Sequence, residues 1–169
     1  MLACLVKRLA LIVLVLAGSV GCDQATKRVA IATLEGRPTQ RLFTDTVRLG
    51  FARNEGAFLS LGANLPGDVR FWLLTVTVGV VLFGLLGFLV RSQELRLIEA
   101  AGYALILGGG FSNWIDRARH DGSVVDFLNV GIGSLRTGIF NVADVAILAG
   151  IAVVLWASCS VPAADQRAT

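Results

Sequence analysis

The chain has 169 residues, of which 55% are hydrophobic, and a mean hydropathy of +0.73, whereas soluble domains hold about 45–50% apolar residues even with glycine included; this is the composition of a membrane protein. Fifteen basic and twelve acidic residues leave a formal charge of +3 with no long block of one sign, which argues against a nucleic-acid partner. One histidine and three cysteines (Cys4, Cys22 and Cys159, none in a CxxC pair) argue against both disulfides and zinc, since a metal site needs several convergent ligands.

The first apolar stretch, Leu9 to Cys22, follows Lys7 and Arg8 and is short for a span. It becomes long enough if a helix begins near Leu2 or continues through Asp23 to Leu34. The run Leu16-Ala17-Gly18-Ser19-Val20-Gly21-Cys22 has the form of a lipoprotein signal peptide with Cys22 as the lipidated residue. Three further apolar stretches speak against that reading, because such lipoproteins carry a soluble mature domain. Residues 35–68 are polar, and Thr44 to Arg53 alternates in part as a half-buried strand does, with a second short strand expected over Gly56 to Gly62. A small sheet on the membrane surface is the expectation.

Val69 to Val90, with only Arg70 near its start, is long enough for a bilayer core of about 30 Å and is the clearest span. Arg91 to Arg96 forms a tight loop. Leu97 to Ile115 carries Glu99 and the triplet Gly108-Gly109-Gly110, which permits close helix contact or a bend. Residues 116–137 read as a second large loop on the side of the first, and a fourth span starts near Gly138. The expected architecture is an all-α polytopic membrane protein in a single domain, residues 1–169, with four transmembrane helices (about 9–32, 69–90, 97–115 and 138–160), loops at 35–68 and 116–137, and both termini on one side. Charge leaves the orientation open: the two large loops and their flanks carry ten of the fifteen basic residues, yet the positive-inside bias is weighted towards span ends and the first helix.

Two aspartates stand out against this background. Asp126 lies in Val124-Val125-Asp126-Phe127-Leu128, and Asp144 lies in Phe140-Asn141-Val142-Ala143-Asp144, at the head of an apolar run. A carboxylate near a bilayer costs roughly 2.5–3.5 kcal/mol on insertion scales and is a functional candidate by default. Two carboxyls held close together share a proton and supply one acid and one base. On a helix starting at Gly138, Asn141 and Asp144 share a face, with Asp144 roughly 9 Å along. Taken singly, Asp144 also reads as a helix N-terminal carboxylate favoured by the macrodipole, and Asp126 as a turn-forming loop residue. Asn113, Asp116 and Arg117, at the end of the third span, favour a joint site. A proton-relaying transporter and a non-catalytic scaffold are the alternatives to an aspartyl protease. A serine protease lacks its GxSxG and its imidazole partners, and the glycine triplet has no Walker lysine.

Asp23-Gln24-Ala25-Thr26-Lys27, Asn54-Glu55-Gly56-Ala57-Phe58, Gly109 to Arg117, Gly122 to Phe127 and Phe140 to Asp144 resemble, in order and spacing, the motifs of the lipoprotein signal peptidases (signal peptidase II) over about residues 9–150. The resemblance implies a bacterial inner-membrane aspartyl endopeptidase with four spans, cytoplasmic termini, a small periplasmic β-cradle and an active site on the periplasmic side. It implies diacylglyceryl-prolipoprotein substrates cleaved on the N-terminal side of the lipidated cysteine, contact with membrane lipid, inhibition by globomycin-type compounds and no cofactor; a monomer is expected. Carried over by position, Asp126 and Asp144 match the catalytic pair. Asn54, Gly56, Asn113, Arg117 and Asn141 match substrate-binding or supporting positions. Asp23 and Lys27 match a motif supporting structure or substrate positioning, and Asp116 is expected in a salt bridge with a nearby arginine. Phe58, Leu59 and the pair Phe111-Ser112 depart from the common pattern and are expected to reshape a lipid-binding groove.

Overall fold

A computed structural model describes residues 2–56 and 65–160. Helix α1 runs unbroken from Leu2 to Leu34, so both extensions of the first apolar stretch occur together. Its 33 residues measure about 50 Å, well beyond a bilayer core of about 30 Å. Helix α2 spans Gly67–Arg91, with a π-helical segment at Trp72–Thr77. Helix α3 is Leu97–Arg119 and helix α4 is Val142–Cys159. Among the described residues three segments, Leu5–Leu34, Gly67–Arg91 and Val142–Cys159, are long and apolar enough to cross a membrane.

Helix α3 coincides with the third expected span but is less apolar, and its place in the fold explains why. It packs extensively against α1 and α4 and also touches α2, burying Ala100, Ala104, Leu107, Ser112 and Asn113 among others. Side chains that meet other helices need not be lipid-soluble. The glycine triplet serves three different neighbours. A Cβ at Gly108 would strike Ser19 of α1, one at Gly109 the Ala143 carbonyl of α4, and one at Gly110 the Leu82 side chain of α2. Close approach to three helices is what the missing side chains allow.

Arginines join the helix ends at the opposite pole. Arg8 donates to the Leu89 and Leu95 carbonyls at 3.1 and 3.3 Å, and Arg96 donates to the Ala157 carbonyl near the end of α4. The last carbonyls of a helix lack the full set of intrahelical donors, and a cation at a helix C-terminus also complements the dipole. The start of α1, the end of α2, the following loop and the end of α4 therefore lie together.

At the other pole, β1 (Gln40–Leu42), β2 (Val47–Asn54), β3 (Val124–Ile132) and β4 (Leu135–Arg136) form one antiparallel sheet in the order β1-β2-β3-β4. The expected strand over Thr44 to Arg53 is β2. The segment read as the second large loop, 116–137, contains β3 and β4, strands that were not expected there. Val124 to Phe127 are all buried, so β3 begins with an apolar run rather than the alternation that marks a half-buried strand. The strand expected from Gly56 onward, with Phe58 and Leu59, falls beyond Gly56 outside the described residues. The fourth helix also starts later than Gly138, because Phe140 is held in a bridge to Leu128 of β3.

Candidate active site

That bridge delivers Asn141 in an extended conformation as the N-cap of α4. Its side-chain Oδ1 accepts the Asp144 N–H at 3.0 Å, and Asp144 Oδ2 accepts the Asn141 N–H at 3.1 Å. This reciprocal capping satisfies two amides that a helix start leaves without partners. Asp144 thus lies in the first turn, about 4.5 Å along the helix from Asn141, rather than 9 Å beyond a start at Gly138. The reading of Asp144 as a helix N-terminal carboxylate is geometrically right, and it leaves the other oxygen free: Asp144 Oδ1 accepts from Asn113 Nδ2 at 3.1 Å.

Strand β3 brings in Asp126, opposite Ala52 of β2. Its carboxyl is almost fully enclosed, at 2% exposure, and accepts from Asn141 Nδ2 at 2.6 Å and Asn54 Nδ2 at 3.0 Å. Burial pushes its pKa up from the ordinary 3.8 to about 6; the negative charge of Asp144 adds to this, while Asn54, Asn141 and the Lys27 charge oppose it. One asparagine, Asn141, therefore touches both carboxyl groups. Arg117 donates to the Gly56 carbonyl at 2.8 Å, and the Gly56 N–H donates to Asn54 Oδ1 at 3.0 Å. Gly56 enters the site through its backbone and steadies Asn54.

Behind this layer lies a buried ionic cluster. Lys27 Nζ is 2.7 Å from Asp23 Oδ2 and 2.9 Å from Asp116 Oδ2, with all three side chains 3% exposed or less. Asp23 also accepts from Ser112 Oγ at 2.7 Å and from the Ala143 N–H at 2.8 Å, which pins the first turn of α4 to the middle of α1. The salt bridge expected for Asp116 is real, but its partner is the lysine of α1 and not an arginine. Arg117, on the next position of the helix, faces the Gly56 carbonyl instead. Gln24 was not singled out from the sequence, yet its Nε2 donates to Asp116 Oδ1 at 2.7 Å. Ser112 belongs to this cluster, and Phe111 packs edge-on against Phe83 and Trp114, so that pair does not shape the cavity described next.

Asp126 and Asp144 open on a cavity of about 390 Å³ that also exposes Asn54, Asn113 and Arg117 and is walled by Leu74, Val78, Phe140, Ile147, Leu148 and Ile151. Polar groups gather at one end of an apolar channel, an arrangement that binds an amphiphile with its polar part at the carboxyls. Leu74 belongs to the π-helical segment of α2, and no signal in the sequence marked it. Among the described residues no three His, Cys, Asp or Glu side chains converge as a metal site. Cys22 is exposed within the unbroken α1.

A family model described as signal peptidase (SPase) II matches residues 11–160. The chain is 40% identical over 148 residues to the lipoprotein signal peptidase of Azoarcus sp. (strain BH72), covering 85% of this chain and 80% of that protein. It is 36% identical over 141 residues to the lipoprotein signal peptidase of Syntrophotalea carbinolica, covering 82% and 84%. A bacterial membrane enzyme structure obtained by the in meso method at 2.3 Å resolution superposes with a TM-score of 0.72 at 26% identity, covering 88% of this chain and 87% of that one. A second bacterial membrane enzyme structure, at 1.9 Å, has a TM-score of 0.73 at 24% identity over 89% and 94%, a likeness of fold.

Proposed function

The chain belongs to the signal peptidase II family, proteases of lipoprotein processing, and from that premise we propose that it is an aspartic endopeptidase that cleaves diacylglyceryl-modified prolipoproteins on the N-terminal side of the lipidated cysteine. The observation that carries this reading is the joint hold of Asn141 on the Asp126 and Asp144 carboxyls at the polar end of an apolar cavity. Two carboxyls so placed share one proton, and the acid and base roles belong to the pair. The ionised partner takes a proton from water as the water oxygen attacks the scissile carbonyl. The protonated partner donates to the developing oxyanion, and the proton taken from water later goes to the leaving amine. Asn54, Asn113 and Arg117 line the same cavity and are the groups on hand for the substrate backbone. Apolar walls suit the acyl chains, whose burial contributes about 0.8 kcal/mol per methylene.

In this reading residues 1–169 make one membrane peptidase domain of four spans in the bacterial inner membrane. Lys7, Arg8, Arg91 and Arg96 cluster at the pole of joined helix ends, where a positive-inside bias is felt most. That pole is assigned to the cytoplasm, and the sheet and cavity mouth to the periplasm. The test is complementation of a strain depleted of its lipoprotein signal peptidase, with wild type beside Asp126→Asn and Asp144→Asn, together with cleavage of a synthetic diacylglyceryl-modified precursor. Rescue by wild type and by neither variant supports the proposal. Cleavage by either variant at a near-normal rate removes that residue from the mechanism.

A further inference from the structure

Lys27 is a buried cation one side chain, Asn113, removed from the Asp144 carboxyl and two, Asn113 and Asn141, removed from that of Asp126, and its contacts leave it no freedom. An ammonium has three donors and no acceptor. Its acceptors are Asp23 Oδ2 at 2.7 Å, Asp116 Oδ2 at 2.9 Å and Asn113 Oδ1 at 2.8 Å. The third contact decides which way an amide points, because the end of an asparagine side chain that faces a given neighbour is set by the hydrogen-bond network. With Oδ1 turned to Lys27, Nδ2 of Asn113 must face Asp144, and it does, at 3.1 Å. Asn141 does not supply this constraint alone. Its Nδ2 has two hydrogens for three acceptors, Asp126 Oδ1 at 2.6 Å, Asn113 Oδ1 at 3.1 Å and the Val125 carbonyl at 3.3 Å, so its hold on Asn113 is shared.

We propose that Lys27 is a positioning residue for the reaction: through Asn113 it presents an N–H rather than a carbonyl to Asp144, and its charge sets the pH window in which the carboxyl pair holds a single proton. This inference rests on the carboxyl-pair reading above. A flipped Asn113 would set its carbonyl oxygen against the Asp144 carboxyl, which is tolerable only if Asp144 keeps the proton, and the pair would lose the choice of which member is the base. The charged and titratable groups around the network are Asp23 and Lys27 from α1, Asp116 and Arg117 from α3, Asp126 from β3 and Asp144 from α4; β2 contributes the uncharged Asn54 and α2 the apolar Leu74 and Val78.

Lys27→Gln and Lys27→Met test the first part, since the two replacements are nearly isosteric and both neutral and differ in whether they can donate to Asn113. Cleavage of a diacylglyceryl-modified precursor peptide in detergent should show kcat at least tenfold higher for Gln than for Met, with KM alike and thermal unfolding midpoints alike. Equal kcat in the two would reduce Lys27 to packing and overturn the proposal. Asp116→Asn tests the second part and decides the matter if both lysine variants fail to fold. It keeps the acceptor but removes one of the two carboxylates that offset the ammonium, so the bell of rate against pH should move about one unit to lower pH. A bell that stays in place also overturns the proposal. The underlying carboxyl-pair reading fails separately, through turnover by Asp126→Asn or Asp144→Asn.

Discussion

At the scale of single residues, the site is a set of amides arranged to serve two acids. Asp126→Asn is expected to abolish cleavage, since an amide can be neither base nor proton donor, while raising stability above pH 6. The folded state holds the Asp126 proton more tightly than the unfolded chain, with the pKa at about 6 against 3.8. Its favourable share of stability is therefore complete below the ordinary carboxylate pKa and is lost as pH rises through about 6. At roughly 1.4 kcal/mol per unit, ionising it at neutral pH costs about 3 kcal/mol. Thermal unfolding in detergent between about pH 4 and 8 should show wild type losing stability across this range and Asp126→Asn losing less. Parallel curves would mean that Asp126 is not the group that titrates. Asn141 carries two duties that one substitution separates. Asn141→Ser keeps a good N-cap, but it withdraws the amide from Asp126, and kcat should fall at least tenfold. A serine variant as active as wild type would show that the cap alone matters.

At the scale of elements, the geometry of the proposed site depends on how closely α3 and α4 approach. Gly109 lies against the Ala143 carbonyl and, at 2.8 Å from a Cβ, the Ile147 side chain, within the first turns of the helix that carries Asp144. Gly109→Ala has backbone in its way and must push α4 aside. It should lose most activity and unfold at a distinctly lower temperature, by overpacking of about 1–3 kcal/mol. Gly110→Ala meets only the end of the Leu82 side chain, 2.6 Å from a Cβ, which can change rotamer. The milder variant should unfold within a few degrees of wild type, and the order of the two midpoints is the measurement. Reversal would put the critical contact on α2. The same elements show what the sequence could and could not announce. Glycines 108–110 signalled close packing, but their assignment to α1, α4 and α2 in turn depends on where the helices stand. Strand β3 escaped notice because burial on both faces erases the alternation that identifies a strand, and Phe140, which pairs with it, moved the start of α4 to Val142.

At the scale of the whole molecule, the cavity joins a polar end to apolar walls within a bundle of apolar helices. A precursor bearing diacylglycerol should be cleaved at least a hundredfold more efficiently than the same precursor without it, measured as kcat/KM in nanodiscs. Equal values would mean that the cavity is not a lipid site. Leu148→Ala, on the cavity wall, should raise KM more than it lowers kcat, because it removes contact with the acyl chains and none with the reacting atoms.

The amino-acid sequence by itself determined the solvent and pointed to the candidate acids. Hydropathy put the chain in a membrane, and the cost of charge there singled out Asp126 and Asp144, because an expensive residue in an apolar run announces itself locally. The ordered motifs extended that to Asn54, Asn113, Arg117 and Asn141. Only the tertiary structure decided how these residues divide the work. It made Asn141 the common holder of both carboxyls, moved the start of the helix that carries Asp144 from Gly138 to Val142, gave Asp116 to Lys27 instead of an arginine, and brought Gln24 and Ser112 into the cluster behind the site. Hydrogen bonds between residues separated by up to 120 positions depend on where helices cross, and helix crossing is set by packing across the whole bundle, which no local pattern records.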